Sequence, residues 1–100
     1  MRAAERKVST DMSGIVKRAV AGTLESSDVF VEIEPGDSGI EVEIESVVLA
    51  QFGDAIRAAV LDVLKEQNVS DARVRLTDRG ALDCVIRARV ETAVARAKGE

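Results

Sequence analysis

The sequence predicts an α+β domain, a two-layer sandwich of order β-β-α-β-α with two helices on one face of a three-stranded sheet. Three observations predict it. Asp28 to Glu34 and Ile40 to Glu45 alternate apolar and polar side chains, the period of a sheet with one wet face. Val48 to Leu64, and again Leu82 to Ala97, repeat apolar residues at helical spacing. A helix layer on a sheet buries all of these apolar stripes at once.

In the first strand Val29, Val31 and Ile33 point one way, and Phe30, Glu32 and Glu34 the other. Pro35-Gly36-Asp37-Ser38-Gly39 is turn chemistry. Ile40, Val42 and Ile44 then alternate with Glu41, Glu43 and Glu45, so the two runs read as a hairpin with one acidic face. Ser46 is placed to cap the helix that follows, and Asn68 tolerates the left-handed conformation that ends one. Arg73 to Thr77 alternates again. Asp78-Arg79-Gly80 breaks the run before the second helix, whose pattern persists for four turns. Rows of glutamate on adjacent strands repel. Arg73 and Arg75 fall on the same face and relieve that repulsion. A right-handed crossover puts the third strand either beside the first, antiparallel, or beside the second, parallel; the first placement, with the first strand central, is the one expected.

One hundred residues allow one small domain. Residues 1–18 read as a flexible N-terminal segment and 19–100 as the folded domain. The net charge of −4 and the absence of Tyr and Trp argue against a nucleic-acid partner. No apolar run approaches membrane-spanning length, and the N-terminus lacks the apolar middle of a signal peptide. Cys84 is the only cysteine, which suits a reducing, cytoplasmic compartment. There is no histidine to activate it, so Cys84 reads as a buried small hydrophobe. Asp54, Asp78 and Asp83 match no calcium-loop spacing. Capping and a solvated helix face account for them, and no metal site is expected.

The stretch Ala19 to Asp28 carries the chemistry. It places Gly22, Thr23, Ser26 and Ser27 just upstream of a strand, with no acid–base pair among them. A small-residue, flexible stretch with an exposed hydroxyl suits a modification site rather than a catalytic one. Gly22 reads as the source of backbone freedom. Asp37-Ser38 resembles the Asp-Ser pair of ordinary phosphopantetheine carriers, but Gly39 follows it inside a turn.

Gly22-Thr23-Leu24-Glu25-Ser26 closely resembles the serine-bearing motif of the citrate lyase acyl carrier protein (gamma subunit) family. Gln51 to Arg57, Leu61 to Leu64 and Asp78 to Arg89 strengthen the resemblance, which covers the chain from Ala19 to Ala97. It implies a non-catalytic carrier whose Ser26 bears 2'-(5''-phosphoribosyl)-3'-dephospho-CoA through a phosphodiester. The arm's thiol would hold acetyl or citryl thioesters. The implied partners are the alpha (transferase) and beta (lyase) subunits, which would supply the catalytic groups and the divalent metal, and a prosthetic-group transferase. Ser27 is the competing hydroxyl. Family members start closer to the serine motif, so residues 1–11 read as an extension. Glu34-Pro35-Gly36-Asp37 resembles the malonate decarboxylase carrier, the alternative within this class. A small scaffolding module without cofactor is the alternative outside it.

Overall fold

The computed structural model describes residues 14–99. Its elements are β1 (Ala19–Gly22), β2 (Val29–Pro35), β3 (Ile40–Ser46), α1 (Leu49–Glu66), β4 (Ala72–Asp78) and α2 (Asp83–Ala97). The class is α+β with both helices in place, but the sheet has four strands in the order β1-β2-β4-β3, not three. The added strand is Ala19–Gly22, expected to be flexible. It pairs antiparallel with β2, from Ala19 opposite Ile33 to Gly22 opposite Phe30. Four residues carry too short a pattern to show as a strand alone; the pairing with β2 supplies the order.

The expected β2–β3 hairpin does not form. β4 lies between the two strands, antiparallel to β2 and parallel to β3. Its position beside β2 is as expected, and β2 is an inner strand. The electrostatic reason is visible in the register. Arg73 stands between Glu34 and Glu41, and Arg75 between Glu32 and Glu43. A β2–β3 ladder would have set two glutamate rows side by side. The inserted arginine row gives each of these glutamates on β2 and β3 an opposite charge as its neighbour on β4. Arg73 pairs with Glu34 at 2.9 Å and Arg75 with Glu43 at 3.3 Å.

The opposite face is the core. Val29, Val31, Ile33, Val74 and Leu76 meet Ile56, Val60, Val63 and Leu64 of α1 and Ile86, Val90 and Val94 of α2. Ala59, Ala93 and Ala97 are completely buried, small enough to let the helices and sheet approach closely. Packing begins upstream of Ala19. Ile15 is buried, and the Val16 amide donates to the Ala97 carbonyl at 2.9 Å. Arg96 donates to the Val20 carbonyl, which ties α2 to edge strand β1.

Two helix details differ from expectation and one agrees. Asn68 adopts φ +61° after α1. Ser46 does not cap α1, whose N-cap is Val48. Its hydroxyl accepts the Val48 amide at 3.0 Å and donates to buried Asp78 at 2.8 Å, bracing the turn before the helix. The apolar stripes are also not all buried. Leu49, Phe52 and Leu82 are 48%, 52% and 71% exposed. All three lie at the N-terminal ends of the helices, where Val85 and Ile86 are the first side chains of α2 to reach the core.

Candidate functional site

Residues Thr23–Asp28 join β1 to β2, at the end of the sheet where β3 and β4 also terminate. The Asp28 amide donates to the Glu25 carbonyl at 3.1 Å, closing a β-turn with Ser26 and Ser27 at its corners. Ser27, the third residue of that turn, sits at φ +66°. Both serines are exposed. Among the described residues the Ser26 hydroxyl has no hydrogen-bond partner, so its oxygen is open to an incoming group.

The turn is exposed but braced, where the sequence suggested a slack segment. Gly22 shows the difference. It lies at φ +91°, and a Cβ there would overlap the Val29 carbonyl oxygen and press on the Arg89 Cδ at 3.3 Å. Gly22 therefore serves close approach, not looseness. The Thr23 amide then donates to the Val29 carbonyl at 3.2 Å. The Thr23 hydroxyl donates to Asp28 Oδ2 at 2.6 Å and accepts the Glu25 amide at 3.2 Å.

Asp28 is the hub. Its Oδ1 accepts its neighbour's amide, Val29 N–H, at 2.7 Å. Both oxygens accept from Arg89 of α2, Nε at 3.1 Å and Nη2 at 2.8 Å, a bidentate pair. The Arg89 guanidinium, then the Thr23 hydroxyl and the Val29 amide, hold the Asp28 carboxyl down at about 2.

Arg79, just after β4, braces the other side. Its carbonyl accepts the Ser27 amide at 2.9 Å, its amide donates to Asp28 O at 2.9 Å, and its Nη1 donates to Leu24 O at 3.0 Å. No carboxylate of a described residue forms an ion pair with it. The sequence reading missed Asp28, Arg79 and Arg89 as parts of this site. The one local signal was Thr23-x-x-x-x-Asp28 around the serines, a pair of residue types that bridge turns.

The remaining candidates separate from the site. Cys84 is exposed, not buried. It lies two residues before Ile86 in the first turn of α2, and so projects away from the stripe that meets the sheet. Asp83 pairs with Arg87 at 2.7 Å. Asp78 accepts from Ser46 and from the Ala81 amide at 2.9 Å, stabilising the turn before α2 rather than capping it directly. Among the described residues no group of His, Cys, Asp or Glu is placed to hold a metal. No helix there is long and apolar enough to cross a membrane. Ser38 stands in the loop before β3, at the opposite end of the sheet from Ser26.

Comparison with known proteins gives three kinds of likeness. An acyl carrier protein family model, described as malonate decarboxylase delta subunit, matches residues 16–97. The chain is 58% identical over 81 residues to the citrate lyase acyl carrier protein of Edwardsiella ictaluri (strain 93-146), covering 79% of this chain and 82% of that protein. Its fold resembles that of a chain in a Pseudomonas malonate decarboxylase hetero-tetramer in complex with malonate. There the TM-score is 0.74 at 22% identity, over 84% of this chain and 87% of that one. A Thermus thermophilus structure matches with a TM-score of 0.61 at 15% identity, over 83% of this chain and 16% of that one.

Proposed function

Since the chain belongs to the acyl carrier protein family, we propose that it is the acyl carrier subunit of a citrate lyase, with Ser26 as the covalent attachment point. The observation that carries the reading is the 58% identity to a citrate lyase carrier over most of both chains. Both serine hydroxyls are without a hydrogen-bond partner among the described residues, and the choice of Ser26 rests on its place in Gly22-Thr23-Leu24-Glu25-Ser26; Ser27 sits at φ +66° with its backbone amide hydrogen-bonded to the Arg79 carbonyl.

The group we assign is 2'-(5''-phosphoribosyl)-3'-dephospho-CoA. When bound, it supplies a terminal thiol whose thioesters make an acyl carbonyl reactive and its α-carbon acidic. The chain's own part is to hold and present. Gly22, Thr23, Asp28 and Arg89 keep the turn at the surface. Arg79 stands against Leu24 with guanidinium nitrogens to spare for a phosphodiester on Ser26. Tethering makes each visit to a partner's active site an intramolecular encounter at high effective concentration. The partners in this reading are the alpha and beta subunits of the lyase and a prosthetic-group transferase, in the cytoplasm. Cleavage of citrate to acetate and oxaloacetate occurs on those partners.

The malonate decarboxylase carrier is the second reading, supported by the family model's description and the fold of the Pseudomonas chain. Coexpression with the modifying enzymes, followed by intact and fragment mass spectrometry, tests the carrier role and the serine together. The adduct is expected on Ser26; one on Ser27 or Ser38 overturns that assignment, and no adduct overturns the carrier role. Reconstitution with citrate lyase or malonate decarboxylase subunits distinguishes the two carriers.

A further inference from the structure

Beside the Ser26 turn lies an apolar groove between the N-terminal ends of α1 and α2. Phe52, Ala55 and Ile56 form one wall, and Ala81, Leu82 and Ile86 the other, around about 370 Å³. We propose that this groove holds the acetyl-loaded end of the arm tethered at Ser26 and excludes the citryl-loaded end, a proposal that rests on the carrier function given above.

Three observations commit the groove to that occupant. The first is continuity. The Ser27 amide bonds the Arg79 carbonyl, and the next residue, Gly80, lines the groove. From Ser26 across that bond to Gly80 is at most about 13 Å by Cα steps. An arm rooted there is long enough to fold back onto the groove, and the contact is then intramolecular.

The second is polarity. The exposed side chains of Phe52 and Leu82 flank the groove. The buried carboxylate within it, Asp78, is already occupied by the Ser46 hydroxyl and the Ala81 amide. The lining therefore asks for a neutral, apolar guest such as an acetyl methyl with the carbon chain behind its sulfur.

The third is charge. Asp78 and Asp83 line the groove, and no Lys or Arg does. Of the two arginines four residues from Asp83, Arg87 is engaged by Asp83 and Asp62, and Arg79 turns its guanidinium to the Leu24 carbonyl in the Ser26 connection. A citryl group carries free carboxylates, and an anion placed here would be buried beside like charge. The groove thus distinguishes the two loaded states. It shelters the acetyl thioester from water between turnovers and leaves the citryl thioester free to enter a partner.

The test uses the full chain, methyl-labelled at Ile, Leu and Ala, in unmodified, thiol, acetyl and citryl forms, each verified by intact mass. Loss of the adduct from Ser26 would count against the carrier reading, independently of the groove. With the adduct present, acetyl loading is expected to shift the methyl signals of Ile56, Ala81, Leu82 and Ile86, and citryl loading to return them to their unmodified positions. Unshifted signals in the acetyl form overturn the proposal. So do equal shifts in both forms, or shifts that arise only when partner subunits are added, which would make the groove a protein-docking surface.

Hydroxylamine release of the acetyl group supplies a second readout. Removing two carbon groups from water corresponds to about a tenfold preference for the docked state. Ala55→Trp, at an exposed position, fills the groove and is expected to speed release about tenfold. Leu82→Ser serves the same purpose without adding bulk. Release at the wild-type rate from both variants overturns the proposal.

Discussion

Replacing Asp28 with Asn tests whether the Ser26 turn is held by a charged hub. The wild-type carboxylate accepts from the Thr23 hydroxyl, the Val29 amide and two nitrogens of Arg89. Asn keeps one acceptor oxygen and turns an NH2 group toward donors. Asp28 is held at about 2 from an ordinary 3.8, and every tenfold change in proton affinity is worth about 1.4 kcal/mol. The upper bound is therefore about 2.4 kcal/mol. Arg89 remains 39% exposed, and solvent screening reduces the expected loss to about 1–2 kcal/mol. The sign follows from the lowered value. The contribution is fully present above the unfolded value near 4, and is lost as pH falls through the folded value near 2. Urea denaturation at pH 7 should show Asp28→Asn less stable by about 1–2 kcal/mol, and the gap should close between about pH 4 and pH 2. For a domain of this size each kcal/mol is also a melting shift of about 4–8 °C. A gap below about 0.5 kcal/mol at pH 7, the scale of an ordinary surface change, would refute the hub. A gap of constant size down to about pH 2 would refute the carboxylate as its cause.

Gly22→Ala should destabilise by about 2–4 kcal/mol, since a left-handed alanine costs about 1–2 kcal/mol and its Cβ must also displace the Val29 carbonyl. Chemical denaturation measures this, and a neutral result would mean the β1–β2 connection is slack after all. Ser26→Ala should abolish acyl loading by mass spectrometry and leave stability within about 0.5 kcal/mol, because its hydroxyl braces nothing among the described residues. Arg75→Glu restores the repulsion between strand rows but at an exposed position, so a loss of no more than about 1 kcal/mol is expected by urea denaturation. In the unmodified chain, amide exchange should be slower at Ser27 and Asp28 than in an unfolded peptide, because both amides are hydrogen-bonded. Peptide-like exchange there would show a mobile turn.

The sequence carried the helices and three of the strands because their signals are local and periodic. It also carried the reason for the strand order without the order itself. Two glutamate rows and an arginine row share a face, and a turn at Pro35-Gly36 implies that the glutamate strands are neighbours in sequence. Turn chemistry cannot say whether a later strand enters the gap between them. The charge argument could have: one arginine row relieves two glutamate rows fully only from between them, where the register puts Arg73 and Arg75. β1 was illegible because its four residues take their order from a partner strand.

The site divides along the same line between local and distant information. The Ser26 motif is contiguous, so its resemblance to a carrier family is readable from a short stretch. Its rigidity is not, because the groups that supply it lie far along the chain. Arg89 is 61 residues from Asp28, and Arg79 is 55 from Leu24. A motif rich in glycine and serine then reads as flexible when its glycine in fact permits a tight crossing under Arg89. The same limit hid the groove. Helical periodicity assigns Phe52 and Leu82 to apolar stripes, but only the packed fold decides where a stripe runs out of partner. Both residues stay exposed at the N-terminal ends of their helices, at the end of the molecule that also carries Ser26. A braced turn suits a carrier better than a slack one. In the carrier role proposed above the arm would supply reach, so the protein would gain most by fixing where the arm begins, and recognition by a modifying enzyme would cost less with the turn already in shape.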